Sequence, residues 1–133
     1  MKSPKENALE RNLFAVLPES TKSGKLIRLL CSDKEIQEMQ EYANSVSIIR
    51  LGFNDHGPVH MRQVTINAIK MFTLLNNGGI KGSLEHDNVG TSEDSLCAVI
   101  LASFLHDIGM AIGREDHELL SSTLAISIIT RLL

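Results

Sequence analysis

The chain predicts an all-α fold, a bundle of about five or six helices, on three observations. Apolar residues recur at spacings of three and four over most of its length, the period of a helix with one buried face. Two capping-box strings and two prolines at helix starts mark where those periods begin. Almost no stretch alternates apolar and polar residues as a half-buried strand does.

In order, Ser3-Pro4-Lys5-Glu6 reads as a capping box with proline at the first helical position. Leu9, Leu13 and Val16/Leu17 follow at helical spacing, and Pro18 stops the run. Residues 19–24 (ESTKSG) read as a loop, and residues 25–30 (KLIRLL) as a short apolar piece of either type. Ser32-Asp33-Lys34-Glu35 reads as a second capping box. It opens a helix with Ile36, Met39, Ala43, Val46 and Ile49 on one face, ending near Leu51-Gly52.

Asn54-Asp55-His56-Gly57-Pro58 is a turn and a helix start. The helix it opens is expected to run to about Leu75, before Asn76-Asn77-Gly78-Gly79 breaks it. Residues 76–92 read as a polar, glycine-rich loop. Around Glu93 a helix begins that is apolar on nearly every side through Leu105, so it should be central and buried. Gly109 reads as its terminator and residues 113–117 (GREDH) as the turn into a last helix, marked by Leu119, Leu120, Leu124, Ile128 and Ile129. That helix reaches Arg131-Leu132-Leu133 with no glycine, asparagine or proline stop. The expectation is a chain cut short there, or an end that packs on another subunit as a homo-oligomer. The whole, 1–133, reads as one domain: an N-terminal extension over about 1–30 and a core over 31–133, incomplete at its C-terminal end.

The bulk properties narrow the partners. The 133 residues carry a net charge of −3 with no basic run, which argues against a generic nucleic-acid surface. A small phosphorylated substrate met by one or two cations remains open. Cys31 and Cys97 form no CxxC pair, and nothing suggests a disulfide framework. The first ten residues are too polar for a secretory signal, and no apolar run reaches the ~18–20 residues that span a bilayer. The expectation is a soluble cytoplasmic protein, away from membranes.

The chemistry lies in the histidines. LHDIG, residues 105–109, closes the apolar run AVILASFL with His106 and Asp107 side by side. Isolated charge buried there is costly unless it is paired or holds a metal. A carboxylate at a helix C-terminus also faces the negative end of the dipole, an unfavourable placing of ~0.3–1 kcal/mol that a cation would reverse. His60 falls in the first turn after Pro58, with Val64, Asn67 and Met71 on the same face, so it should point inward. His56 before Gly57-Pro58 reads as a cap or turn residue, with a substrate role as the alternative. His117 taken alone reads as a surface histidine and Arg114 as a loop charge near the same turn. His86-Asp87 repeats the dipeptide in the polar loop, where a solvated turn explains both residues.

His60, His106-Asp107 and His117-Glu118 inside an all-helical chain resemble the HD-domain metal-dependent phosphohydrolase superfamily. The interval of 46 residues from His60 to His106 suits that family's first-His to His-Asp spacing. NDHGPVHMRQV followed by FLHDIGMAIGREDHE looks closer still to a prokaryotic, chiefly archaeal, branch of uncharacterised HD proteins. The resemblance covers roughly residues 45–133. It implies an HD-like bundle with His60, His106 and Asp107 as metal ligands, and His117 as an additional ligand or phosphate contact. It implies one or two divalent ions (Mn, Fe, Co, Ni, Mg or Zn) and hydrolysis of a nucleotide or other small phosphoester. Asp107 would hold metal and orient the attacking water. Arg114 would act in catalysis, and His56, Arg62 and Arg114 would contact substrate. The family's final Asp has no counterpart, since no Asp follows Asp116. The alternative is a non-catalytic helical module that binds metal or nucleotide and works through protein interaction.

Overall fold

Every regular element among the described residues (2–46, 57–111 and 116–133) is helical in the computed structural model. In chain order they are α1 (Pro4–Val16), α2 (Lys22–Ser32), α3 (Lys34–Ser45), α4 (Pro58–Asn77), α5 (Ser83–His86), α6 (Ser92–Leu105) and α7 (His117–Leu132). A 3-10 turn, Ile108–Ala111, lies between α6 and α7. The all-α expectation holds, and the count exceeds six only through α5, a single turn inside the glycine-rich stretch. No described helix is long and apolar enough to cross a membrane.

Helix α6 is the axis. Thr91 Oγ1 accepts from Asp94 N at 3.1 Å while the Asp94 carboxylate accepts from Thr91 N at 2.8 Å. This reciprocal cap satisfies two backbone donors that a helix start leaves open. Ile100 and Phe104 are wholly buried and Leu105 nearly so. Each such side chain stabilises the fold by roughly 1.5–3 kcal/mol. Helices α4 and α2 pack along α6, α1 packs on α4, and both α3 and α7 close on the 3-10 turn.

Several local expectations shift. Residues 25–30 belong to α2, which Thr21 caps through Gly24 N, so the loop ends at Thr21 and not at Gly24. Leu26, Ile27, Leu30 and Cys31 are buried at helical spacing, which decides the type. The cap of α3 is Asp33, accepting from Ile36 N at 2.9 Å, because Ser32 is still the last residue of α2. Ser3 does cap α1 through Glu6 N, but the Glu6 carboxylate also accepts from Gln37 of α3 at 2.9 Å. The expected end of α3 near Leu51-Gly52 lies outside the described residues. On α7, Leu119 faces solvent, while Ile128 enters the core.

The buried face of α4 is Met61, Arg62, Thr65, Ile66 and Ile69, one step round from the expected His60–Met71 stripe, and Met71 is exposed. Arg62 is 1% exposed. Its guanidinium donates to Glu10 at 2.8 Å, to Gln40 and Gln37 at 2.9 Å each, and to the Pro58 carbonyl at 3.2 Å. It lies over the Phe104 ring, 5.0 Å from the centroid. A charge so deep is tolerated only with such pairing. Gln40 in turn donates to the Phe104 carbonyl at 3.0 Å, satisfying one acceptor that the end of α6 leaves open.

Candidate metal centre

Three segments converge where α6 stops. The first turn of α4 brings His60, the end of α6 brings His106 and Asp107, and the first residue of α7 brings His117. His60 Nε2 stands 3.2 Å and His106 Nε2 3.1 Å from Asp107 Oδ2, and His117 Nε2 stands 3.2 Å from Asp107 Oδ1. The ligating atoms of His60, His106 and Asp107 all lie within 4.8 Å of one another. The His60 and His106 rings are 5.5 Å apart between centroids, tilted by 58°.

The Asp107 side chain is 5% exposed, whereas the rings of His60, His106 and His117 keep 33%, 38% and 20% exposure. The carboxylate is therefore the floor of the site and the imidazoles are its open rim.

His106 carries the sharpest chemical constraint. Its Nδ1 lies 2.7 Å from the Ser103 carbonyl oxygen, which can only accept. Nδ1 therefore bears a proton, and in the neutral ring Nε2 is a bare lone pair. That lone pair faces Asp107 Oδ2, so two acceptors meet at 3.1 Å. Only a second proton or a cation reconciles them. Accordingly the bond to Asp107 raises the His106 pKa, the Ser103 carbonyl adds to the shift, and burial opposes it. An imidazole whose far nitrogen is tied to a backbone carbonyl is the arrangement that orients a metal-binding histidine. The residues present fit a divalent ion.

A close approach locks α7 onto the motif. Gly109 N donates to Ser121 Oγ at 2.8 Å. A Cβ at Gly109 would overlap the His117 carbonyl and come within 2.6 Å of Ser121 N. The glycine expected as a helix terminator thus serves instead to let α7, and with it His117, reach Asp107. The sequence singles out neither Ser103 nor Ser121, and Gly109 only as a helix terminator. Ser103 stands three residues before His106, the spacing of a helix-end bond, and that was the available signal.

The other expected site residues lie elsewhere. Arg62 is held inside by Glu10, Gln37 and Gln40, so its charge is spent within the fold and not on a substrate. His56 and Arg114 lie outside the described residues. His86 and Asp87 pair with each other at 3.0 Å, both largely exposed, far along the chain in α5 and its turn. Glu118, adjacent to His117, approaches its Nε2 at 3.5 Å from a mostly exposed position.

Among known proteins, the chain is 39% identical over 104 residues to an uncharacterised protein of Methanocaldococcus jannaschii. The match takes in 78% of this chain and 40% of the relative, so the chain spans less than half of that protein's length. No family model matches the chain, and no solved structure does.

Proposed function

We propose that this chain carries the centre of a metal-dependent phosphohydrolase of the HD type that its sequence resembles. The observation that carries the reading is the His106 lone pair, fixed by Ser103 and aimed with two further imidazoles at one buried carboxylate. His60, His106 and Asp107 would hold the ion; His117 stands outside that cluster, against the other carboxylate oxygen, and would be drawn in as a further ligand. An imidazole-rich donor set favours Zn, Fe or Ni over Mg. Bound there, a divalent ion supplies Lewis acidity at the phosphoryl oxygens and makes nearby water more acidic.

The chain's own residues would do the rest. Asp107 holds the attacking water in place through its remaining lone pairs. The water oxygen forms a bond to phosphorus, the ester P–O bond breaks, and the water proton passes to the departing alkoxide. The products are an alcohol and phosphate. The partly exposed rings form the mouth through which a phosphate would enter.

The test is metal content of protein purified without chelator, measured by elemental mass spectrometry beside Asp107→Ala. Phosphate release from a panel of phosphoesters follows. The reading expects near-stoichiometric transition metal, lost in the variant, and metal-dependent turnover. Metal without turnover would favour the non-catalytic binding module. No metal, even after reconstitution with Mn, Fe, Ni or Zn, would overturn the phosphohydrolase reading and leave of the alternative only a nucleotide-binding module.

A further inference from the structure

The cavity that ends at Asp107 runs away from it between α6 and α7, with a volume of about 670 Å³. At one end are His106, Asp107, His117 and Glu118; the rest is apolar apart from two serines. Ala98 and Ala102, one helical turn apart on α6, face the groove with Ala125 from α7, and their short side chains give it its width. Leu105 and Ile129 line it as well, and Ile126, also lining it, is 66% exposed.

What the groove lacks matters equally. Among its described lining residues there is no Lys or Arg, and its charged groups beyond the imidazoles are the acids Asp107 and Glu118. Among those described residues a chain of phosphates finds no counter-charge. Ribose hydroxyls and a base edge would find Ser121 and Ser122, and the Ser121 oxygen already accepts from Gly109 N. Polar groups covered without partners cost about 1–3 kcal/mol each. An alkyl or aryl group meets no such penalty, and the volume is that of a small-ligand pocket.

We propose that this groove receives the apolar part of the substrate, so that the ester hydrolysed is an alkyl or aryl monophosphate and not a nucleotide. The inference rests on the phosphohydrolase reading for the phosphate and on the groove alone for the apolar group. The probes are hexylphosphonate, methylphosphonate and adenosine monophosphate, titrated into protein exposed to zinc. The readouts are calorimetry and the ¹H–¹³C methyl spectrum.

Hexylphosphonate is expected to bind at least about tenfold more tightly than methylphosphonate. It should shift the methyl signals of Leu105, Ile126 and Ile129. Ala102→Phe, at an exposed helical position, should fill the groove and erase the preference for the longer chain, with zinc uptake serving as the control for folding. Equal affinity for the two phosphonates overturns the proposal, and so does tighter binding of adenosine monophosphate. Methyl signals that ignore hexylphosphonate but change with protein concentration overturn it in favour of a second copy in the groove. If no zinc is taken up, the metal reading fails by itself. The chain-length comparison on the methyl signals still decides the groove.

Discussion

The chain writes His-Asp twice, and the two copies end in opposite surroundings. His86 and Asp87 close the single turn α5, with side chains 76% and 66% exposed and paired with each other at 3.0 Å. Asp107 is almost wholly buried at the end of α6, and it draws in histidines from α4 and α7 besides its own neighbour. Chemistry along the chain is identical; what differs is the number of helices that end at the same point. A His-Asp pair in solvent is a weakly coupled ion pair. The same pair at the buried end of a central helix becomes a donor set, because packing brings in ligands that sequence neighbours could not supply.

The largest separation of the two pairs should be in metal affinity. Asp107→Ala is expected to weaken binding at least about 100-fold, and Asp87→Ala not at all, by calorimetric titration with Zn²⁺. Equal effects would erase the distinction. Next is the docking of α7. Gly109→Ala should destabilise by about 1–3 kcal/mol or more, since the two nearest of the three atoms it would strike are backbone. Gly90→Ala, beside α5, meets the Asp94 and Leu84 side chains at 3.1–3.3 Å and should cost under about 1 kcal/mol. Chemical denaturation compares the two. Ser121→Ala should cost about 1–2 kcal/mol by leaving Gly109 N buried without its acceptor, and should also lower metal affinity by loosening His117.

The smallest effect is that of pH. The His106 pKa is raised in the folded, metal-free protein. Its proton therefore stabilises the fold fully below the unfolded value of about 6.5, and that contribution is lost as pH rises through the higher folded value. Metal must displace the same proton, so zinc affinity should rise over that range, by up to about tenfold per pH unit. His106→Gln should flatten the first profile in thermal melts, whereas His86→Gln should leave it as it was. Zinc affinity that does not change with pH would argue that His106 is no ligand.

The sequence made the helices legible through the apolar periods of α1 and α3 and through the all-round apolar run of α6. It made the pair at 106–107 legible because a titratable dipeptide at the end of an apolar run is hard to explain otherwise. It misplaced the face of α4, because Arg62 is buried, and hydropathy cannot anticipate a guanidinium satisfied by Glu10, Gln37 and Gln40. It left α2 undecided, since six apolar and basic residues suit either period until Thr21 is seen as a cap. His117 read as a surface residue, because what draws it inward is the contact of Gly109 with Ser121, which no local pattern announces.

The most direct test of the account is the long-range ¹H–¹⁵N spectrum of the imidazole rings, recorded before and after one equivalent of Zn²⁺. The account predicts His106 protonated at Nδ1 throughout, with its Nε2 signal, and those of His60 and His117, moving to metal-bound positions while His86 stays unchanged. A His106 ring protonated only at Nε2 and indifferent to zinc would contradict it.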